Sequence, residues 1–308
     1  MDNTPRGRKG EKANCKRPND PDLLWVDAIC QQALSAKMIA KLFALVDDKE
    51  NQKLWEKRHE QKCEIINRLY WDAEDKFYYD IRCNDLSFCK VMTIASCWAM
   101  TAGACSEEQA NALIAQLENP QTLGGDVPLL SLSRSDSDFN TNGEYWRGAL
   151  WLPTAYATLV GMKNYKKFSK AHEAALKIVE HMYQTYVTHE PHTIWECYSP
   201  TEPKPAFNDK GNYCKRDFCG WSALGPISVL IEHVLGFHTI DAFQNKVEWE
   251  KPKDIKGKIG IQNLRFGEIV TDIEANETHC SVSSNRPYTL AIRGKEYQIQ
   301  SGENQFAL

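Results

Sequence analysis

The sequence predicts a mainly α-helical chain that ends in a small β unit. Three observations carry the prediction. Apolar residues recur at three- and four-residue spacing in several segments before about residue 236, helix-start signals stand at Asp20-Pro21, Ser106 and Pro153, and from about Ile255 the pattern turns into short extended runs with turns between them. The predicted division is residues 1–250 for the helical domain and 251–308 for a β-strand appendage. Helical hairpins joined by long loops on one side suit an α/α toroid, whose loops build a central cleft.

Taken in order, residues 1–20 are rich in Lys, Arg, Asn and Pro and read as a loop. Asp20 as N-cap and Pro21 at the first position open a helix on which Leu34, Met38, Leu42 and Leu45 share a stripe. Val26, Ile29 and Ile39 lie on its other faces, which predicts a well-buried helix. A second helix spans about Glu50–Tyr70, followed by a turn and a short extended piece over 71–80. Further helices are expected over 92–101, from the cap Ser106 with Glu107 and Glu108 in its first turn, over 153–161, and over 165–186, where Phe168, Ala171, Ala175, Ile178 and Met182 step by three or four. The segment 123–145 is a long loop, a kind that is often functional. A last helix near 225–235 closes at Gly236, and Ser281–Ser283, Tyr288–Ile292 and Glu296–Ile299 read as strands, with Arg293-Gly294-Lys295 as a hairpin turn.

Composition narrows the function classes. With 308 residues, 42% hydrophobic and 25% charged, the chain can bury a sizeable core. A net charge of −4 gives no argument for nucleic acid or an anionic membrane. No stretch approaches the roughly 20 apolar residues of a membrane span. The opening MDNTPRGRKGEK lacks the apolar core of a signal peptide, so the chain reads as soluble, with its compartment open. The 11 cysteines contain no CxxC pair, which predicts free thiols and no structural zinc.

Two segments far apart carry carboxylates suited to chemistry: Asp2 in Asp2–Arg8, and Glu196 in Ile194–Pro200. Paired carboxylates on opposite sides of a sugar are the equipment of glycoside hydrolysis, which needs neither metal nor cofactor, and none is expected. Trp25, Trp146, Trp195 and Trp221 offer faces for sugar rings. Asp27, near a helix start, could accept from sugar hydroxyls, and Arg6 could clamp an acidic substrate or pair with Asp2. Arg147 could hold a hydroxyl or orient a carboxylate by a forked pair, and Gly148 would admit close backbone approach. Each has a plainer reading: a terminal residue for Asp2, a surface ion-pair partner for Glu196, a helix first-turn acid for Asp27, packing for Arg147 and the tryptophans, a solvated loop for Arg6. Asp138–Gly143 begins like a calcium loop, but its twelfth position is Ala149, where a bidentate Glu belongs. His181, His189 and His192 share no ligand spacing, and no GxSxG elbow occurs.

Five stretches in order carry a family resemblance: Met1–Arg6, Trp25–Ala28, Tyr145–Pro153, Trp195–Tyr198 and Gly220–Pro226. Through them the chain resembles the C-terminal part of an (α/α)6-barrel glycosidase of the trehalase and processing α-glucosidase group, glycoside hydrolase families 37 and 63, in the mannosylglycerate hydrolase-like branch. The resemblance implies an incomplete (α/α)6 toroid and an inverting glycosidase for an α-linked glucosyl or mannosyl substrate. Asp2 matches the general acid, although the Ser and Gly that precede it in the family are absent, and Glu196 matches the general base. It also implies barrel helices that precede this chain, which an upstream open reading frame could supply. The competing expectation is an inactive fragment retaining at most weak carbohydrate binding. A sugar epimerase or lyase ranks last, because such enzymes use His or Tyr pairs and no His lies in the matched stretches.

Overall fold

The structure, a computed structural model, describes residues 3–6 and 22–308. Met1–Lys167 with Lys177–Gly225 make one compact unit, and Phe168–Leu176 with Pro226–Leu308 make another.

The first unit is built on a helical hairpin. Helix α1 (Val26–Leu45) does not start at Pro21 as expected from the cap signal; Leu23–Leu24 (β1) are extended and pair antiparallel with Ile81–Arg82, and the helix begins only after them. Its buried face is also not the leucine stripe. Cys30, Ala33, Ala36 and Ala40 are buried, whereas Leu42 and Leu45 are 61% and 54% exposed. Small side chains let the neighbouring helix α2 (Lys49–Leu69) approach closely, and the bulkier residues are left outside. Asp48 caps α2 by accepting from the Asn51 amide at 3.0 Å.

Short strands follow: β2 (Trp71–Asp72) pairs with β3 (Phe77–Tyr78), while β4 (Asp80–Arg82) lies between β1 and β5 (Phe88–Cys89). The predicted 92–101 helix is a 3-10 turn, Ile94–Cys97, running into α3 (Trp98–Ala102). Ser106 opens α4 (Glu107–Glu118) with a reciprocal capping box to Gln109. Helix α5 (Leu152–Asn164) has Pro153 in its first turn and packs on α3, where a Cβ at Gly161 would sit 2.9 Å from that of Met100. Helix α6 (Phe168–Thr188) contributes its opening residues to the second unit, and a short α7 (Cys219–Ser222) closes the first. Each described cysteine is a free thiol.

A π-helical segment, Gly225–Val234, leads into the eight strands of the second unit. They start earlier than Ile255, with β6 (Thr239–Asp241) and β7 (Lys246–Trp249). The remainder are β8 (Ile259–Phe266), β9 (Ile269–Ala275), β10 (His279–Ser284), β11 (Tyr288–Ile292), β12 (Lys295–Ile299) and β13 (Gly302–Ala307). Two four-stranded sheets, in the orders β13-β10-β9-β8 and β12-β11-β7-β6, share a core that includes Phe237, Val247, Trp249, Ile273, Val282 and Leu290. Burial alternates along β9, where Ile269, Thr271, Ile273 and Ala275 point inward.

Candidate active site

Glu196 stands in a short segment bridged on both sides. Leu150 and Tyr198 exchange backbone hydrogen bonds at 2.9 and 3.0 Å, and the Glu196 amide donates to the Lys215 carbonyl at 2.9 Å. The residue is 9% exposed. Its carbonyl accepts from the Ser222 hydroxyl (2.9 Å) and the Trp221 indole (3.3 Å), which fix the backbone beneath the side chain. Among the described residues its carboxylate is held through Oε2, which accepts from the Tyr145 phenol and the Lys215 amide, both at 3.3 Å. Among the described residues Oε1 has no hydrogen-bond partner.

Sequence reasoning does not single out Tyr145. It and Glu144 have φ of 61° and 37°, two consecutive left-handed residues that are not glycine. Such positions cost about 1–3 kcal/mol each and persist where surrounding bonds over-determine them. Here the Tyr145 amide donates to Phe207 O at 2.8 Å, its carbonyl accepts from the Trp151 indole at 3.1 Å, and Asn3 bridges the Glu144 carbonyl (2.8 Å) and the Trp146 amide (2.9 Å). Burial, then the Glu196 carboxylate, push the Tyr145 phenol up, so it stays a donor.

Aromatic rings cluster on Trp151, beside Tyr145. Trp146 lies flat on Trp151, with centroids 4.0 Å apart and planes at 3°. Trp221, 41% exposed, packs against Trp151 and Phe218 and offers an open face. Trp195 is instead buried under His189 and Tyr213, and its indole nitrogen has no partner among the described residues.

Arg6, Trp25 and Asp27 are brought together, but largely to hold one another. The Arg6 guanidinium donates to both oxygens of Asp80 at 2.6 and 2.7 Å and to both of Asp27 at 2.8 and 3.2 Å, and it lies 4.5 Å from the Trp25 ring centre. Asp80 also accepts from the Val26 amide at 2.8 Å, tying this knot to the start of α1. Burial works against charge on Arg6, and Asp80 and Asp27 outweigh it, raising its pKa; burial likewise works against the Asp27 carboxylate, which Arg6 nevertheless holds below the usual range.

Arg147 forks between Asp138 (2.7 Å) and Glu144 (2.6 Å), so the first carboxylate of the calcium-like run serves an ion pair. Gly148 has φ 137°, and a Cβ there would stand 2.7 Å from the Phe139 ring; the close approach it permits is to that ring. Asp2 lies outside the described residues.

Residues 24–218 match the family model described as mannosylglycerate hydrolase MGH1-like glycoside hydrolase domain. An uncharacterized protein of Borreliella burgdorferi is 28% identical over 260 residues, covering 82% of this chain and 53% of that protein. The mannosyl-oligosaccharide glucosidase of Saccharomyces cerevisiae is 24% identical over 246 residues, 73% of this chain and 27% of that one. The crystal structure of a GH63 mannosylglycerate hydrolase from Thermus thermophilus in complex with glucose superposes with a TM-score of 0.54 at 18% identity, over 68% of this chain and 48% of that one. The chain thus spans about half or less of the length of these relatives. No helix among the described residues is long and apolar enough to cross a membrane.

Proposed function

This chain belongs to the mannosylglycerate hydrolase MGH1-like glycoside hydrolase family, and from that premise we propose that it is an inverting glycoside hydrolase for an α-linked glucosyl or mannosyl substrate. Glu196 is the general base and Asp2 the general acid. The observation that carries the proposal is the asymmetry of the Glu196 carboxylate: Oε2 is pinned by Tyr145 and Lys215, while Oε1 has no partner among the described residues. A carboxylate oriented through one oxygen can take a proton from water through the other. That water attacks the anomeric carbon as Asp2 protonates the departing oxygen from the opposite face. Inversion requires carboxyls about 6.5–9.5 Å apart, which leaves room for the water.

Asn3, the residue after Asp2, supports the pairing. Its side chain is bonded on both sides of Tyr145, the residue that donates to Glu196. Trp221 and the outer face of Trp146 serve as sugar platforms, and Arg6, Trp25 and Asp27 brace the N-terminal segment. The helices of the first unit belong, in this reading, to an (α/α)6 toroid of which this chain supplies part.

The test is release of sugar from trehalose, mannosylglycerate and short α-glucosides, with the first-formed anomer resolved by NMR. The expected product has inverted configuration and is lost in Glu196→Gln. A retained configuration, or hydrolysis that survives Glu196→Gln, would overturn the assignment, and a chain that binds these sugars without cleaving them would be a binding remnant.

A further inference from the structure

A cavity of about 450 Å³ opens in the second unit, and every residue that lines it belongs to that unit. None of the residues assigned to the hydrolysis lines it. Its walls are fixed by backbone bonds. Gly236 has φ 87° and lies so close to residues 250–254 that a Cβ there would collide with the Glu250 carbonyl oxygen. The Glu250 amide donates to the Gly236 carbonyl at 2.9 Å, and the Arg293 guanidinium donates to the Lys251 and Pro252 carbonyls at 2.9 and 3.3 Å. From the opening turns of α6, the His172 ring spans the His233 carbonyl and the Asp254 carboxylate, each at 3.2 Å. An aromatic pair completes the lining: Phe168 and His238 stack with centroids 4.8 Å apart and planes at 25°.

Two charged groups of this lining make no bonds within the protein. The half-buried Glu250 carboxylate has no hydrogen-bond partner among the described residues, and burial pushes its pKa up against Arg293 and Lys253. Lys251 is 4% exposed, and its ammonium has no hydrogen-bond or ion-pair partner among the described residues. Burying polar and charged groups without partners is costly, and hydrogen bonds from a ligand offset that cost.

We propose that this cavity is a second carbohydrate-binding site, which holds a neutral sugar unit. The sugar class is read from the lining and does not rest on the glycosidase reading. The volume falls within the range of about 300–1,000 Å³ usual for small-molecule pockets. Glu173, Glu232, Glu250 and Asp254 bring carboxylates to the lining, while Lys251 and Lys253 bring ammonium groups, so a ligand of either charge sign meets like charge there. Sugar hydroxyls are uncharged and both donate and accept. The C–H face of a pyranose suits the apolar Phe168 ring. Glu250 accepts from sugar hydroxyls, and the two lysines donate to others.

The site is tested on the whole chain with free glucose and mannose, which carry no bond to hydrolyse. Binding is titrated by saturation-transfer NMR in the unaltered protein, in Trp221→Ala, which removes a platform near Glu196, and in Glu250→Leu. Amide exchange with and without sugar maps the contact. Sugar binding should persist in Trp221→Ala and weaken at least tenfold when Glu250→Leu is added, and residues 168–173 and 250–254 should gain protection. The protection map on the unaltered protein decides the matter if Glu250→Leu fails to fold. Binding lost in Trp221→Ala, binding indifferent to Glu250→Leu, or protection of these segments by glycerate or ethanolamine but by neither sugar would overturn the proposal. Sugar protection here in a chain that hydrolyses nothing would sink the glycosidase reading and leave this site standing, and hydrolysis without that protection would do the reverse.

Discussion

The phenol of Tyr145 donates to Oε2 of Glu196 across 3.3 Å from a backbone held at φ 61°. A strained residue thus aims a neutral donor at one carboxylate oxygen. Tyr145→Phe keeps the ring against Trp151 and removes the donor. Hydrogen bonds to charged groups are worth about 1.5–3 kcal/mol, so kcat should fall roughly 10- to 100-fold. KM should change little, because in the proposed mechanism the contact orients the base and not the sugar. Steady-state kinetics check this, and an unchanged kcat would remove Tyr145 from the site.

Glu196→Gln retains the shape and removes the proton acceptor. General-base contributions run to about 10²–10⁴-fold, and a loss of that order in kcat is expected while sugar binding, read by titration calorimetry, persists. If binding disappears with turnover, Glu196 is holding the substrate or the fold.

The uneven legibility of this site follows from where its interactions are made. Glu196, Trp146 and Trp221 stand out because they sit in aromatic-rich runs; the structure packs both tryptophans on Trp151 and bonds the Trp221 indole to the Glu196 carbonyl. Asp80 gives no such signal: it lies in a three-residue strand, 74 positions from the Arg6 it binds. Tyr145 is visible only as part of a run, since its donation to Glu196 depends on a left-handed backbone that residue type does not predict. Helix α1 misleads for a related reason. A stripe of leucines is a stronger sequence pattern than a stripe of Ala and Cys, yet close helix packing selects the smaller side chains. Strands β6 and β7 escape a sequence reading because they are only three and four residues long.

The Arg6 knot makes two predictions about stability. Arg6→Met strands the Asp80 and Asp27 carboxylates, and breaking a buried pair from one side costs roughly 3–5 kcal/mol. Denaturant unfolding should show a loss of that size. Asp27 supplies the pH dependence. Its folded pKa lies below the unfolded value of 3.8, so its pairing stabilises the fold above about pH 4 and is lost as pH falls through the folded value. Asp27→Asn should therefore flatten the decline in stability below about pH 4. An equally steep acid limb in the variant would show that other carboxylates set it.

His181 governs a higher window. It is 8% exposed, and its Nε2 lies 2.9 Å from the Ser199 carbonyl, which makes Nε2 the protonated nitrogen of a neutral ring. Burial lowers its pKa from 6.5 to about 4, against the smaller raising effect of that hydrogen bond. Above pH 6.5 neither the folded nor the unfolded ring carries the extra proton, and its full contribution is present. As pH falls from 6.5 toward 4 the unfolded chain binds a proton that the folded protein excludes, so stability drops through that interval. The drop sums to roughly 3 kcal/mol at about 1.4 kcal/mol per pKa unit. His181→Gln keeps a donor for Ser199 and cannot titrate. Between pH 7 and pH 4.5 its unfolding free energy should fall less than that of the unaltered protein by most of this amount, and parallel curves for the two proteins would show that His181 is not the group responsible.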